Sequence, residues 1–119
     1  MPQTSHIDLL LQRQSNPNLT APAPQGEDLN NILNAAMAVP DHGNIAPWRM
    51  TVVEKSGLDQ LSELFVKSAT LNNADEIKLT KTKKMPYRAP MIIVVSTKYQ
   101  QHPKVPQKEQ LVAAGCAAH

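Results

Sequence analysis

Only two segments of this sequence have the pattern of β-strands, and they constrain the fold more than any other feature. Residues 48–54 combine a tryptophan with threonine and two valines, which favours a strand. Residues 91–96 form a continuous apolar run, which predicts a strand buried on both faces. Two strands do not make an independently stable sheet. We therefore expect strands from a longer chain, or from another subunit, to complete it.

Two helices are predicted before the first strand. Thr4 or Ser5 can cap the first helix, which ends in the polar run before Pro17. The second extends from about Glu27 to Ala38, and its apolar side chains recur at helical spacing: Leu29, Ile32, Leu33, Ala36 and Met37. The proline-rich segment between these helices predicts an extended connector.

Three further helices are predicted after the first strand. Ser56 is the expected cap of the third, whose apolar face is formed by Leu58, Leu61, Leu64 and Phe65. Asn72 or Asn73 is the expected cap of a shorter, lysine-rich helix that ends before Pro86. Pro106 suits the first turn of the last helix, which is predicted from Gln107 to about Ala118. The predicted order is helix, helix, strand, helix, helix, strand, helix.

The composition limits the classes of function. The net charge of +2, from 12 basic and 10 acidic residues, is too small to predict binding to nucleic acid or to a membrane surface. The single cysteine, Cys116, excludes an internal disulfide, and neither a membrane-spanning run nor a signal-peptide pattern is present. We expect one cytoplasmic domain over residues 1–119, with a mainly aliphatic core around Trp48.

The segment from Ala38 to Trp48 is the candidate for a functional site, because it is irregular backbone between a predicted helix and a predicted strand. Two prolines make its ends stiff, and a glycine leaves its middle permissive, which suits holding a planar ligand against the main chain. For His42 in this segment, two alternatives to ligand binding are open. It is either an ordinary surface residue or a metal ligand with Asp41 and His102, although the spacing of these three is not that of a typical metal site.

Seven short segments carry a resemblance to a known family: Arg13–Ser15, Ala36–His42, Ala46–Trp48, Tyr87–Pro90, Lys104–Pro106, Glu109–Gln110 and Ala114–Cys116. In this order and at this spacing they resemble the flavin-dependent nitroreductase family, and within it the small bacterial NAD(P)H nitroreductases. The resemblance implies an α+β fold of helices around a mainly antiparallel central sheet. It also implies a homodimer with FMN bound at each of two sites lined by both subunits.

The resemblance further implies an oxidoreductase in which NAD(P)H reduces FMN and the reduced flavin passes electrons to a small nitroaromatic, quinone or related acceptor. The cofactor carries this chemistry, so no catalytic acid or base is required. By the same resemblance, Arg13, Gln14 and Ser15 bind the FMN phosphate and ribityl chain, and His42 contacts the flavin. A guanidinium and a hydroxyl suit a phosphate, because the bonds are charge-assisted. The residues alone also allow Arg13 to cap its own helix.

Members of the family extend well beyond residue 119, so the resemblance implies an N-terminal portion of the family domain, incomplete at its C-terminus. Two other functions therefore stay open. One is a catalytically inactive fragment that binds a partner through its apolar last helix. The other is a small flavin-binding module that does not oxidise NAD(P)H.

Overall fold

The computed structural model describes residues 5–119, which form five α-helices and two β-strands in the predicted order. The helices are α1 (His6–Gln12), α2 (Gly26–Met37), α3 (Ser56–Leu71), α4 (Glu76–Lys84) and α5 (Gln107–Ala118). The strands are β1 (Trp48–Glu54) and β2 (Met91–Thr97), and short 3-10 helices cover His42–Asn44 and Met85–Arg88. The predicted α+β class is confirmed. Across residues 5–119, no helix is both long enough and apolar enough to cross a membrane.

The two strands pair in antiparallel register, with Trp48 opposite Thr97 and Glu54 opposite Met91. The predicted burial of β2 on both faces is wrong, because Val94 is 39% exposed and Ser96 is also exposed. Within residues 5–119, β2 has β1 as its only strand neighbour, and α5 packs against the pair. An apolar run is fully buried only when layers cover both faces of its sheet.

The core lies where α5 packs against β1 and β2. Trp48 and three alanines of α5 (Ala113, Ala114 and Ala117) are buried there, with side chains of α2, β1 and β2 packed around them. The prediction of an aliphatic core around a single tryptophan is confirmed. Small residues on α5 allow the indole ring to approach the helix closely, so one large side chain fills much of the interior.

The N-terminal cap of α1 is Ser5; Thr4, the other candidate, lies outside the described residues. The Ser5 hydroxyl accepts a hydrogen bond from the Asp8 backbone N–H at 3.1 Å, and the Asp8 carboxylate accepts from the Ser5 N–H at 3.0 Å. This is a reciprocal capping box. The Ser5 hydroxyl also donates to the Asp8 carboxylate at 2.8 Å. This bond and the one from the Ser5 N–H lower the pKa of the Asp8 carboxyl below its ordinary value.

The predicted start of α3 is displaced by one residue, whereas that of α5 is confirmed. Lys55, with φ of +52°, occupies the cap position of α3, and Ser56 is already helical. The positive φ at Lys55 turns the chain from β1 directly into α3, and the Lys55 side chain makes no capping hydrogen bond. The last helix, α5, begins at Gln107 as predicted, and Pro106 lies at its cap position, directly before the first turn.

The predicted cap of α4 is also wrong. Its cap is Asp75, whose Oδ1 accepts a hydrogen bond from the Lys78 N–H at 2.8 Å. Asn72 instead ends α3, where its side-chain amide donates to the Ser68 carbonyl at 2.8 Å. Asn73 has φ of +56° and belongs to the turn. An asparagine can satisfy carbonyls at a helix end as well as N–H groups at a helix start, so sequence alone does not separate the two roles.

The chain leaves more surface exposed than a free-standing domain of its size. Its radius of gyration is 17.4 Å, against about 13.5 Å for a compact domain of this length. Its accessible surface is 9466 Å² for 13.1 kDa, against about 6,400 Å² for a monomeric protein of this mass. The exposed surface includes Leu111 (54% exposed) and Val112 (66%) on α5. Apolar surface of this kind marks a contact site for other protein segments.

The apolar faces predicted for α2 and α3 are therefore only partly covered. On α2 no residue is buried, and Ile32 and Met37 are exposed. On α3, Leu58 is buried, whereas Leu64 is exposed. The predicted helices are confirmed, but periodicity identifies only which face is apolar and does not supply the layer that covers it.

Candidate functional site

The loop between α2 and β1 has an unusual backbone that its own hydrogen bonds support. Gly43, Asn44 and Ala46 have φ of +76°, +51° and +43°. The Asp41 carboxylate accepts a hydrogen bond from the Ala46 N–H at 2.6 Å, and the Asp41 carbonyl accepts from the Asn44 N–H at 3.0 Å. Left-handed backbone at residues other than glycine is costly and persists only where the surroundings hold it. Asp41 thus fixes the loop that presents His42.

Gly43 cannot be replaced in this loop without strain. A Cβ atom built on Gly43 would lie 3.2 Å from Cγ2 of Val105, in addition to the positive φ. Val105 is buried just before α5. The loop therefore approaches the start of α5 closely because residue 43 lacks a side chain.

His42 is joined to the first turn of α5. Its Nδ1 lies 2.7 Å from Oε2 of Glu109, and the two side chains are 58% and 45% exposed. An ionised carboxylate can only accept hydrogen bonds, so Nδ1 carries the hydrogen of this bond. The other ring nitrogen of His42, Nε2, is left for a different partner.

The next residue of α5 points inward. Gln110 is 1% exposed, and its side-chain amide donates to the carbonyls of Gln100 and Val105 at 2.8 and 3.0 Å. Its side-chain oxygen accepts from the Gln100 N–H at 2.8 Å. The side chain of Gln100 in turn donates to the Ile45 carbonyl at 2.7 Å. The segment before α5 is thereby connected both to the helix and to the His42 loop.

An open cavity of about 430 Å³ lies beside His42. Its lining is mostly apolar, with charged or polar groups from two chain segments: Pro40, His42, Lys108, Glu109, Val112, Ala113 and Cys116. This volume falls within the range of roughly 300–1,000 Å³ that is typical of small-molecule and cofactor sites. A mostly apolar lining with a few polar groups can take a flat, partly polar ring system.

The three other predicted site residues are placed differently. Arg13, Gln14 and Ser15 follow α1 and are all exposed, and Arg13 is the residue at which α1 ends. They are not among the residues that line the cavity beside His42. The connector that follows is attached to the rest of the chain by a 2.6 Å hydrogen bond from the Leu19 N–H to the Arg88 carbonyl. The structure therefore brings Glu109, rather than these residues, to His42.

The metal interpretation of His42 finds no geometric support. Among residues 5–119, no group of three or more histidine, cysteine, aspartate or glutamate side chains is close enough to hold a metal ion. Asp41 accepts from the Ala46 N–H, His42 contacts Glu109, and His102 Nδ1 accepts from the Lys104 N–H at 3.2 Å.

Sequence reasoning missed the residues that support the loop. Glu109 and Gln110 belong to one of the seven segments that carry the family resemblance, which is the only sequence signal that could have singled them out. The hydrogen-bond partner of Glu109 is distant in sequence, and that of Gln110 lies in an irregular segment. Glu109 is 67 residues from His42, and Gln110 binds the loop at Gln100. No periodic pattern pairs such positions.

Comparison with known proteins gives a consistent result. The model of the Nitroreductase family matches residues 10–119. The chain is 40% identical over 111 residues to an Escherichia coli K12 protein named "Putative NAD(P)H nitroreductase YdjA", covering 93% of this chain and 61% of that protein. It is 41% identical over 114 residues to a Haemophilus influenzae protein named "Putative NAD(P)H nitroreductase", covering 95% of this chain and 62% of that protein. The chain thus spans about three-fifths of the length of these curated relatives.

Proposed function

Because this chain belongs to the nitroreductase family, we propose that it takes part in FMN-dependent electron transfer from NAD(P)H to a small nitroaromatic, quinone or related acceptor. The observation that carries the proposal is the position of His42. A supported, strained loop holds this side chain at an open cavity of about 430 Å³ whose walls are mostly apolar. Such an arrangement suits a ligand that combines a flat ring with polar edges.

The side chains of the chain have the chemistry that FMN requires. Arg13, Gln14 and Ser15 offer an exposed guanidinium, amide and hydroxyl, all of which donate hydrogen bonds to phosphate or ribityl oxygens. His42 offers Nε2 to the flavin, since Nδ1 is bonded to Glu109. FMN, when bound, supplies the acceptance and onward transfer of electrons. The residues of the protein bind and orient it.

A homodimer is part of the proposal. The accessible surface of 9466 Å² exceeds the expected value for a monomer by roughly 3,000 Å² per chain, which is more than the about 800 Å² per partner that a standard interface buries. Leu111 and Val112 of α5 and Met37 of α2 expose apolar side chains that a second copy would cover. Light scattering coupled to size-exclusion chromatography is expected to give twice the mass of the chain.

We also infer a cytoplasmic location. Cys116, the only cysteine of the sequence, is an exposed free thiol, which suits a reducing compartment.

Flavin binding and turnover test the proposal directly. The purified chain, alone and after incubation with FMN, is expected to show flavin absorbance that stays with the protein through gel filtration. With NADH or NADPH and a quinone or nitrofuran acceptor, it is expected to oxidise the nicotinamide. Bound FMN without oxidation would instead favour a flavin-binding module. A lack of flavin binding under all conditions would overturn the proposed function.

A further inference from the structure

The contact between Glu109 and His42 has a chemical consequence beyond holding two segments together. The carboxylate lies 2.7 Å from Nδ1 of the ring. Since the acceptor is a carboxylate, the neutral imidazole must have its proton on Nδ1, which leaves Nε2 with a free lone pair. In this tautomer, Nε2 is the ring nitrogen that is left to accept a hydrogen bond from a ligand.

The backbone fixes both ends of this contact. On one side, the Asp41–Ala46 hydrogen bond of 2.6 Å and the Gln100 bond to the Ile45 carbonyl of 2.7 Å hold the His42 loop. On the other side, Gln110 is buried and has three hydrogen bonds, so the first turn of α5 that includes Glu109 cannot rotate freely. The ring and the carboxylate thus meet between two ordered segments.

The contact is too exposed to matter mainly for stability. Both side chains are about half exposed, and contacts between exposed polar or charged side chains add little to the stability of a protein. The contact orients the imidazole ring of His42 even though it adds little to stability. A ring that already presents the correct atom does not lose conformational freedom when its ligand binds.

We propose that Glu109 is a positioning residue, which holds the imidazole of His42 as the Nδ1–H tautomer and leaves Nε2 as the ring atom that meets the flavin. The part of this inference that concerns the flavin rests on the proposed function. The part that concerns the tautomer of His42 applies to the protein without FMN. The role assigned to Glu109 is to orient the His42 ring. It acts only through His42.

The tautomer is measured in the FMN-free protein by nitrogen-15 NMR of the histidine rings, at a pH where His42 is neutral. The signal of His42 is assigned by its loss in His42→Gln. The wild type is expected to show a protonated Nδ1 and an unprotonated Nε2. Glu109→Ala is expected to shift the population toward the Nε2–H form. A wild-type ring protonated on Nε2, or a tautomer unchanged in Glu109→Ala, would overturn the proposal.

The matched control is Glu76→Ala. Glu76, like Glu109, is an exposed glutamate in the first turn of a helix, so its removal changes the net charge and the helix dipole interaction equally. It is expected to leave the His42 signals unchanged. Glu109→Gln keeps an acceptor oxygen, so it is expected to retain more of the Nδ1–H form than Glu109→Ala does.

FMN titration tests the second half of the proposal. Loss of one oriented hydrogen bond predicts roughly two- to tenfold weaker FMN binding by Glu109→Ala than by Glu76→Ala. Equal binding by these two variants would contradict the positioning role. If the wild type itself bound no FMN, the proposed function would be wrong and the link to flavin would fail with it. The NMR result would still decide whether Glu109 sets the tautomer.

Discussion

The side chain of Gln110 is hydrogen-bonded twice to the backbone of Gln100, accepting from its N–H and donating to its carbonyl, each at 2.8 Å. A third bond runs to the carbonyl of Val105 at 3.0 Å, and the Gln100 side chain continues to Ile45. Two glutamines therefore connect α5 with the loop that holds His42. A buried amide that is satisfied by backbone on several sides fixes an irregular segment that has no regular ladder of its own.

Replacement of Gln110 by leucine is expected to destabilise the protein by about 2–4 kcal/mol, because backbone groups of the loop lose their partners while the site stays buried. Urea unfolding followed by circular dichroism, at one fixed protein concentration, measures the loss. Gln107→Leu is the control, since Gln107 is an exposed glutamine of the same helix. Similar stability of the two variants would show that the hydrogen bonds of Gln110 contribute little.

Two glycine substitutions are expected to have opposite signs. Gly43→Ala places a Cβ at 3.2 Å from Val105 with φ of +76°, and should cost about 1–2 kcal/mol. Gly115 lies within α5, where an added Cβ would meet nothing within 4 Å. Gly115→Ala should therefore stabilise the protein by about 0.5–1 kcal/mol. Thermal unfolding of both variants compares them. A stabilising Gly43→Ala would mean that the loop does not hold its left-handed backbone in solution.

Tyr87 is expected to titrate late. Its hydroxyl donates a hydrogen bond to Asp59, which is the main reason that the pKa of Tyr87 lies above its ordinary value of 10.0. The folded pKa is raised, so the contribution of this bond to stability is complete below the unfolded pKa and is lost as the pH rises through the folded pKa. Tyr87 therefore loses its proton at a lower pH in the unfolded chain than in the folded one.

Phenolate absorbance in a Tyr99→Phe background isolates Tyr87, because the sequence has two tyrosines. In that background, Asp59→Ala is expected to lower the midpoint toward 10.0, the ordinary value. Glu27→Ala, which removes an exposed carboxylate from α2, serves as the control. A midpoint that Asp59→Ala does not change would exclude the hydrogen bond as the cause.

Arg13→Glu is expected to weaken FMN binding roughly 10- to 100-fold, because a charge-assisted donor to phosphate becomes a repelling charge. Fluorescence titration with FMN measures the effect. Lys67→Glu makes the same change in net charge at an exposed position of α3 and should bind FMN as the wild type does. Unchanged affinity in Arg13→Glu would remove this residue from the phosphate site.

The local elements of the fold were predictable from the sequence because their signals are local. The β1 segment from Trp48 to Glu54 has the predicted bounds, and α4 begins with acidic and ends with basic side chains, as the helix dipole favours. The caps were less predictable. Asn72 ends one helix where the sequence suggested the start of another, since the same side chain can serve either end.

The sequence by itself determined the α+β class, the order of the elements, the family and Trp48 as the centre of the core. Those features depend on periodicity, residue type and ordered motifs, which are properties of the amino-acid sequence itself. Only the tertiary structure decided that His42 meets Glu109, that Gln110 binds Gln100 and that β2 keeps an exposed side. Each of these depends on which distant segments lie side by side, and no local pattern encodes the distance between residues 42 and 109.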